Sequence, residues 1–463
     1  MTTTYDLIIV GCGAAGLSAA LAYVDGCKAS GKTPRVAILE SAPETERGGA
    51  TRWTMATLRV GERDRLDPFW VGIMQEVSKG LADAAYCRTF EREVPTTVAQ
   101  LRELGVELIV NELYLANEMN GRTMNPNGGG KAIIEAYAAR LDASAAAEFL
   151  YETEAVRLSL SEEGRVDGVV MRGGDGLLKT LRAPHVVLAC GGFEGNKAML
   201  TQYVGPNAVD LPLIAPGVAG NKGTGIRMAM EIGAATAGQF DMLHAELVDR
   251  RTSRADAVIY GHTYGIVVNG EGKRFYDEGA TSLDASFELI AYEVWRNQQQ
   301  TAFFIADQTV AARPELMFAY DTDIAPITAD TVEDLADQLG LAPEALGQTI
   351  AEYNAAVGPG TFDPGILDGK ATEGLDPPKS NWAYPLTSPP FIAFPLTAAI
   401  TFTFGGLKAD DLGRVIATNG KPIPGLYAAG EIVGLFYHQY PSATSVLRSL
   451  TFGRRAGAYI AAL

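Results

Sequence analysis

The apolar positions of this chain fall into two rhythms. Residues 5–10, 35–40, 183–190 and 423–430 ("YDLIIV", "RVAILE", "APHVVLAC", "IPGLYAAG") are short, nearly continuous apolar runs that end at or beside a turn residue. That is the pattern of strands buried on both faces of a parallel sheet. Between the first two runs, residues 17–24 ("LSAALAYV") have a helical pattern, and the polar stretch "DGCKASGKTP" that follows reads as a loop. Residues 328–357 carry the period of two helices, with Thr331 and Ala342-Pro343 at their starts. Residues 264–279 ("YGIVVNGEGKRFYDEG") predict a strand, a tight turn at 270–272 and a second strand. Apolar strands alternating with helices predict an α/β fold around a parallel sheet.

Composition narrows the partners. The chain has 463 residues, 47% hydrophobic and 20% charged, enough for one large or two to three ordinary cores. Its formal net charge of -17 excludes nucleic acid and an anionic membrane surface as partners, since both need a basic footprint. An anionic small molecule must therefore meet a local concentration of Arg or Lys. Cys12, Cys27, Cys87 and Cys190 form no CxxC pair and have no His at ligand spacing, so neither a metal site nor a disulfide framework is expected. Without a signal-peptide pattern or a run of roughly 20 apolar residues, the expectation is a cytoplasmic protein with no stable membrane insertion.

The strongest chemical signal is "GCGAAG", residues 11–16, placed between the first strand and the first helix. Gly11 permits a tight turn, Gly13 lets backbone approach a pyrophosphate, and Gly16 lets helix and strand pack closely, while the helix N-terminus supplies unpaired N–H groups. Glu40 closes the second strand where a ribose diol would be held. Strand, glycine loop, helix and acidic strand end together predict dinucleotide binding. Gly48 and Gly49, followed by Ala50, Thr51, Arg52 and Trp53, suit a flat ring system better than a plain crossover does. The strands ending at Gly191-Gly192 and Gly430-Glu431 could meet around the same cofactor.

These motifs, in this order over nearly the whole chain, resemble the FAD-dependent flavoprotein superfamily of fumarate reductase and succinate dehydrogenase. The resemblance implies a Rossmann-like FAD-binding domain, residues 1–243 and 386–463, with an inserted α+β capping domain, residues 244–385. It implies FAD contacts at Gly11, Gly13, Ala14, Ala15, Gly16, Glu40, Ser41, Gly48, Gly49, Thr51, Val156, Gly191, Gly430, Glu431, Ser445 and Val446. No His stands in the Gly48-Gly49 loop where succinate dehydrogenases attach the flavin, so the FAD is expected to be non-covalent.

The resemblance is weaker at the substrate end. Ser282 stands where fumarate reductases carry a proton-donating Arg, Phe402 in "TFTFGG" replaces a substrate His, and Tyr440 replaces a substrate Arg. The "ERGG", "GIVVN" and "TFTFGGL" runs are more similar to the tricarballylate dehydrogenase pattern, although Leu283 and "SATS" depart from it. Tyr440-Pro441 also matches the Tyr-Pro of flavin ketosteroid dehydrogenases. The implied chemistry is desaturation of a CH–CH bond beside a carboxylate or carbonyl, on a small organic acid or alternatively a cyclic or steroidal ketone, with a fumarate-type reductase as the third reading. Candidate substrate residues are Tyr440, His244, His438, Arg448 and, as a carboxylate clamp, Arg52, with Tyr260, His262 and Tyr264 of the insert behind them. No haem or iron–sulfur pattern is present, so electrons would pass to a separate, unidentified acceptor.

Overall fold

The computed structural model describes residues 3–112 and 122–463. Its central sheet has the order Arg414–Ile416, Pro422–Ala428, Val186–Leu188, Leu7–Val10, Val36–Leu39, Ala147–Leu150. Every neighbouring pair is parallel except the one at the Arg414–Ile416 edge. Leu7 pairs with Val36 and Val10 with Leu39, and all eight residues of these two strands are buried. The continuous apolar runs exist because both faces of the sheet are covered.

Covering one face are the first helix, Ala14–Ala29, and the last, Ser445–Ala461, which pack at unusually short range. A Cβ added at Gly453 would sit 2.2 Å from the Ala15 carbonyl oxygen, and one at Gly457 would sit 2.0 Å from that of Ala19. Backbone thus meets backbone, and Ser18 Oγ closes the contact by donating to the Leu450 carbonyl at 2.8 Å. This packing fixes the start of the last helix beside the glycine loop: Gly430 leaves room only for Ala15, and an added Cβ there would be 2.8 Å from the Ala15 Cβ. A four-stranded sheet, Thr3–Thr4, Leu178–Arg182, Val166–Arg172 and Glu154–Leu160, flanks the core.

A second sheet forms around Phe391–Thr403, a 13-residue strand. It pairs with Leu243–Asp249 and then Ile327–Ala329 along one side and with Ala302–Ala306 along the other. Hydrogen bonds thus join this strand, which follows the boundary expected at residue 386, to strands that precede that boundary. Helices Val332–Leu339 and Pro343–Ala356 form as expected, the first capped by Thr331 Oγ1, which accepts from the Asp334 N–H at 3.1 Å. The hairpin expected over 264–279 forms only its first strand, Ile266–Asn269, plus a single bridge from Val268 to Arg274. The Val267 N–H that a second strand would need is taken by Glu278 Oε1 at 2.8 Å. Glu278 in turn pairs with Arg274 at 2.6 Å, and Arg274 also donates to the Pro377 carbonyl, which draws the chain off the sheet.

Candidate active site

Two cavities share a wall at the point where the parallel strands end. The larger, about 330 Å³, runs from the glycine loop past Glu40 and Ser41 to Gly430 and Glu431. Gly13 precedes the first helix without any side-chain cap, so the first N–H groups of that helix are left for a ligand. Gly11 has a φ of 105°, and an added Cβ would strike the Ala189 carbonyl oxygen at 2.3 Å. Glycine is thus required there on both backbone and steric grounds. The Glu40 carboxylate is held by the N–H groups of Cys12 at 3.1 Å and Ala42 at 2.9 Å and still lines the cavity. This donor and acceptor set fits a dinucleotide: helix N–H groups for a pyrophosphate and a fixed carboxylate for a ribose diol.

At the far end, Glu431 accepts from the Thr403 N–H at 3.0 Å, and Asn221 Nδ2 donates to both Glu431 and Glu194, at 3.2 and 2.9 Å. Burial and the neighbouring Glu431 charge push Glu194 well above the usual carboxylate range. The pair therefore keeps a proton and presents less than its full double charge to the cavity.

The second cavity, about 110 Å³, shares Ala50, Thr51, Glu431 and Ser449 with the first. It continues between Trp53, Asp256, Thr401, Phe402, Ser445, Val446 and Arg448. Arg448 lies on the first turns of the last helix yet is only 2% exposed. Its Nη1 donates to the Val433 carbonyl at 3.1 Å, its guanidinium stands 5.0 Å over the Phe436 ring, and its Nε has no hydrogen-bond partner. This buried cation, whose charge also acts on the Glu431 carboxyl, places positive charge at the second cavity of a chain of net charge -17.

Tyr440 stands directly behind this wall. Its hydroxyl accepts from the N–H groups of Thr444 and Ser445, both at 2.8 Å, and so caps the last helix where Thr444 makes no side-chain cap. A phenol that accepts two N–H bonds still has its own proton to donate. Its ring closes an aromatic cage with His244, Phe402 and Phe436, at centroid separations of 4.9, 5.0 and 5.0 Å.

The other sequence-nominated residues fall in different places. His244, 2% exposed, is clamped between Glu288 (Nδ1, 2.6 Å) and Glu246 (Nε2, 3.0 Å). Burial alone would lower its pKa, but the two carboxylates outweigh burial and raise it to about 9. Glu288 is further held by the Tyr292 hydroxyl. Arg52 pairs with Glu135 at 2.6 Å and does not line the second cavity. His438 lies in the loop before the last helix with a φ of 61°, its backbone N–H on Gln239 Oε1 at 2.7 Å, and lines neither cavity. His262 is fully buried against Ser286 Oγ at 2.9 Å, and burial pushes its pKa down to about 3. Ser282 is tied to Asp284 at 2.7 Å.

Of the cofactor candidates, Gly11, Gly13, Ala14, Ala15, Glu40, Ser41, Gly49, Thr51, Gly191, Gly430 and Glu431 line the first cavity, and Ser445 and Val446 line the second. Gly16 and Gly48 lie behind the lining. At Gly16 an added Cβ would sit 2.0 Å from the Gly11 carbonyl oxygen, so its role is helix–strand packing. Val156 also falls outside: the strand pairing slips between Ala155 and Arg157, and Thr153, Glu154 and Ala155 form the wall instead. Asp256, Thr401 and Trp53 were not nominated by the sequence. Asp256 sits in the charged run "DRRTSRAD", which reads as a solvent loop.

Residues 6–446 match the family described as the FAD binding domain, and the chain belongs to that family, within the flavoprotein superfamily of fumarate reductases and succinate dehydrogenases. FAD is the cofactor that the first cavity accommodates. Among proteins of named activity, it is 32% identical over 312 residues to an NADH:acrylate oxidoreductase of Vibrio harveyi, a match covering 64% of this chain and 29% of that protein. It is 26% identical over 449 residues to the NADH:fumarate oxidoreductase of Klebsiella pneumoniae (strain 342), covering 93% of this chain and 44% of the relative. The chain thus spans less than half the length of either. Its fold is similar to that of a flavocytochrome c3 fumarate reductase in an open conformation, with a TM-score of 0.79 and 23% identity over 99% of this chain and 78% of that one. Among the described residues, no helix is long and apolar enough to cross a membrane.

Proposed function

We propose that the protein is an FAD-dependent oxidoreductase that desaturates a CH–CH bond next to the carboxylate of a small organic acid. The observation that carries this reading is Arg448: a buried guanidinium with an unpartnered Nε, lining a cavity of about 110 Å³ that shares residues with the FAD cavity. That volume suits a small acid. Bound FAD supplies the acceptor for the hydride that leaves the substrate.

The protein's own residues prepare the substrate. Arg448 fixes the carboxylate and draws charge toward it, which lowers the cost of removing the neighbouring proton. Phe402 and Val446 keep water from the reacting carbons. The Tyr440 hydroxyl sets the first turn of the last helix, and with it Ser445 and Arg448. His244 supports the Tyr440 ring rather than touching substrate. The insert, residues 244–385 together with the strand 391–403, acts as the cap over this cavity, and Gln439 Nε2 on the Ala285 carbonyl at 2.9 Å ties the loop before the last helix to it. FAD is held without a covalent bond in this reading, since no histidine stands in the Gly48-Gly49 loop. Electrons leave to a separate acceptor.

A small cyclic ketone is the second reading, favoured by the free proton of the Tyr440 hydroxyl. The two are separated by incubating the holoenzyme with saturated acids or ketones and an artificial electron acceptor, and looking by mass spectrometry for a product lighter by two hydrogens. Products from acids support the leading reading; products from ketones alone replace it with the second.

A further inference from the structure

Desaturation needs a group that accepts the proton leaving the carbon beside the carboxylate, and Ser282, Tyr440 and His244 are all engaged elsewhere. Asp256 lines the second cavity together with Arg448 and Phe402. Its Oδ2 accepts from the Met55 N–H at 3.1 Å, which anchors the insert to the segment after the Gly48-Gly49 loop. Its backbone is held at φ 59°, a left-handed value costly for a residue other than glycine. A strained, anchored carboxyl lines the same small cavity as the buried Arg448 guanidinium, whose Nε alone lacks a partner. Resting on the function proposed above, we infer that Asp256 is the catalytic base that takes the substrate's α-proton.

In that step the α-carbon's C–H bond breaks, its proton forms an O–H bond with Asp256, and its electron pair enters the new C=C bond. Bound FAD would supply the acceptor for the hydride that the β-carbon loses, so protons and electrons balance. Several charges face the Asp256 carboxyl. Glu246 stands on strand Leu243–Asp249, Asp321 lies in the loop after residues 314–319, and Arg254 lies on its own loop. Tyr260 is neutral beside it, since burial and the charges of Glu246 and Asp256 push its phenol well up. Burial first, then the Glu246 and Asp321 charges, raise Asp256 to about 7, against the opposing Met55 N–H and Arg254. Asp256 is therefore a carboxylate above about pH 7, and a base poised there is well matched to neutral conditions. Glu246 is a positioning residue: its Oε2 is buried without a partner, and its negative charge holds the Asp256 proton on.

The test uses the FAD-loaded protein and its Asp256→Asn, Asp256→Glu and Glu246→Gln variants. Three readouts are taken: flavin content, the dissociation constant of a saturated acid from the flavin absorbance shift, and the anaerobic flavin-reduction rate across pH 6 to 9. Infrared difference spectra of the resting protein report the carboxyl's protonation without any turnover. The expected wild-type rate climbs about tenfold per pH unit to a plateau above about 7. Asp256→Asn is expected to keep FAD and acid binding, lose about 100-fold or more in rate, and lose an infrared carboxyl band that titrates near 7. Asp256→Glu should recover part of the rate. Glu246→Gln should move the midpoint to lower pH, an effect that merely structural damage would not give. Wild-type reduction by an acid together with an equal rate in a folded Asp256→Asn variant overturns this assignment alone. Failure of every acid and ketone to reduce the wild-type flavin overturns the proposed function and this role together.

Discussion

Replacing Arg448 by methionine isolates the carboxylate clamp. The substitution keeps the length and apolar stem of the side chain and removes the charge. The guanidinium donates to the Val433 carbonyl, and its charge also bears on the buried Glu431 carboxyl and Tyr86 phenol, so methionine costs some stability as well as the charge. A charge-assisted hydrogen bond to a bound carboxylate is worth about 1.5–3 kcal/mol, or roughly 10- to 150-fold in affinity. We expect the protein to stay folded and FAD-loaded, with a lower thermal midpoint, while the dissociation constant for small acids, read from the flavin absorbance shift, rises by that factor. Arg448→Lys should recover only part of it, because the ammonium cannot reproduce the planar fork. Neutral ketones should bind both variants as they bind the parent. Unchanged acid binding by Arg448→Met, or an equal loss for acids and ketones, would refute the clamp.

The remaining predictions concern the cofactor, the scaffold and pH. Glu40→Ala should weaken FAD retention about tenfold or more, measured by flavin fluorescence after dialysis; full retention would remove the ribose assignment. Gly457→Val should destabilise the protein by at least about 2 kcal/mol in denaturant titration, because its Cβ would sit 2.0 Å from backbone that has no room to move. Tyr440→Phe should orphan two N–H groups at the start of the last helix and slow flavin reduction while FAD stays bound; an unaltered rate would confine Tyr440 to the scaffold. The His244 proton, held up to about 9 against an ordinary 6.5, gives stability that is complete below pH 6.5 and lost as pH rises through 9. The loss amounts to at most about 3 kcal/mol. Urea midpoints at pH 6.5 and 9.5 should fall in wild type and much less in His244→Gln.

The cofactor half of the site was legible because its signals are local. Gly11 and Glu40 act through backbone conformation and strand ends, which a short stretch of sequence encodes. The substrate half was not, because tertiary contacts decide it. Arg448, nominated through the resemblance, fits a surface position on the last helix equally well by sequence, and only contacts with Val433 and Phe436 bury it. Glu246 shares a strand face with His244 by simple alternation, but Glu288 reaches the same imidazole from a helix more than forty residues away. Val156, named through the resemblance, sits at a register slip and outside the cavity lining, and the second strand of the hairpin over 264–279 was lost to one carboxylate, Glu278. Asp256 carried no sequence signal, since only the Met55 N–H and the strand bearing Glu246 turn its charged loop inward.

The most direct measurement is anaerobic stopped-flow absorbance of the FAD-loaded protein mixed with a panel of small saturated acids and cyclic ketones. The account predicts that at least one acid bleaches the flavin in a single turnover, and that Arg448→Met weakens the concentration dependence of that bleaching. Bleaching by ketones alone, or by no compound in the panel, would contradict it.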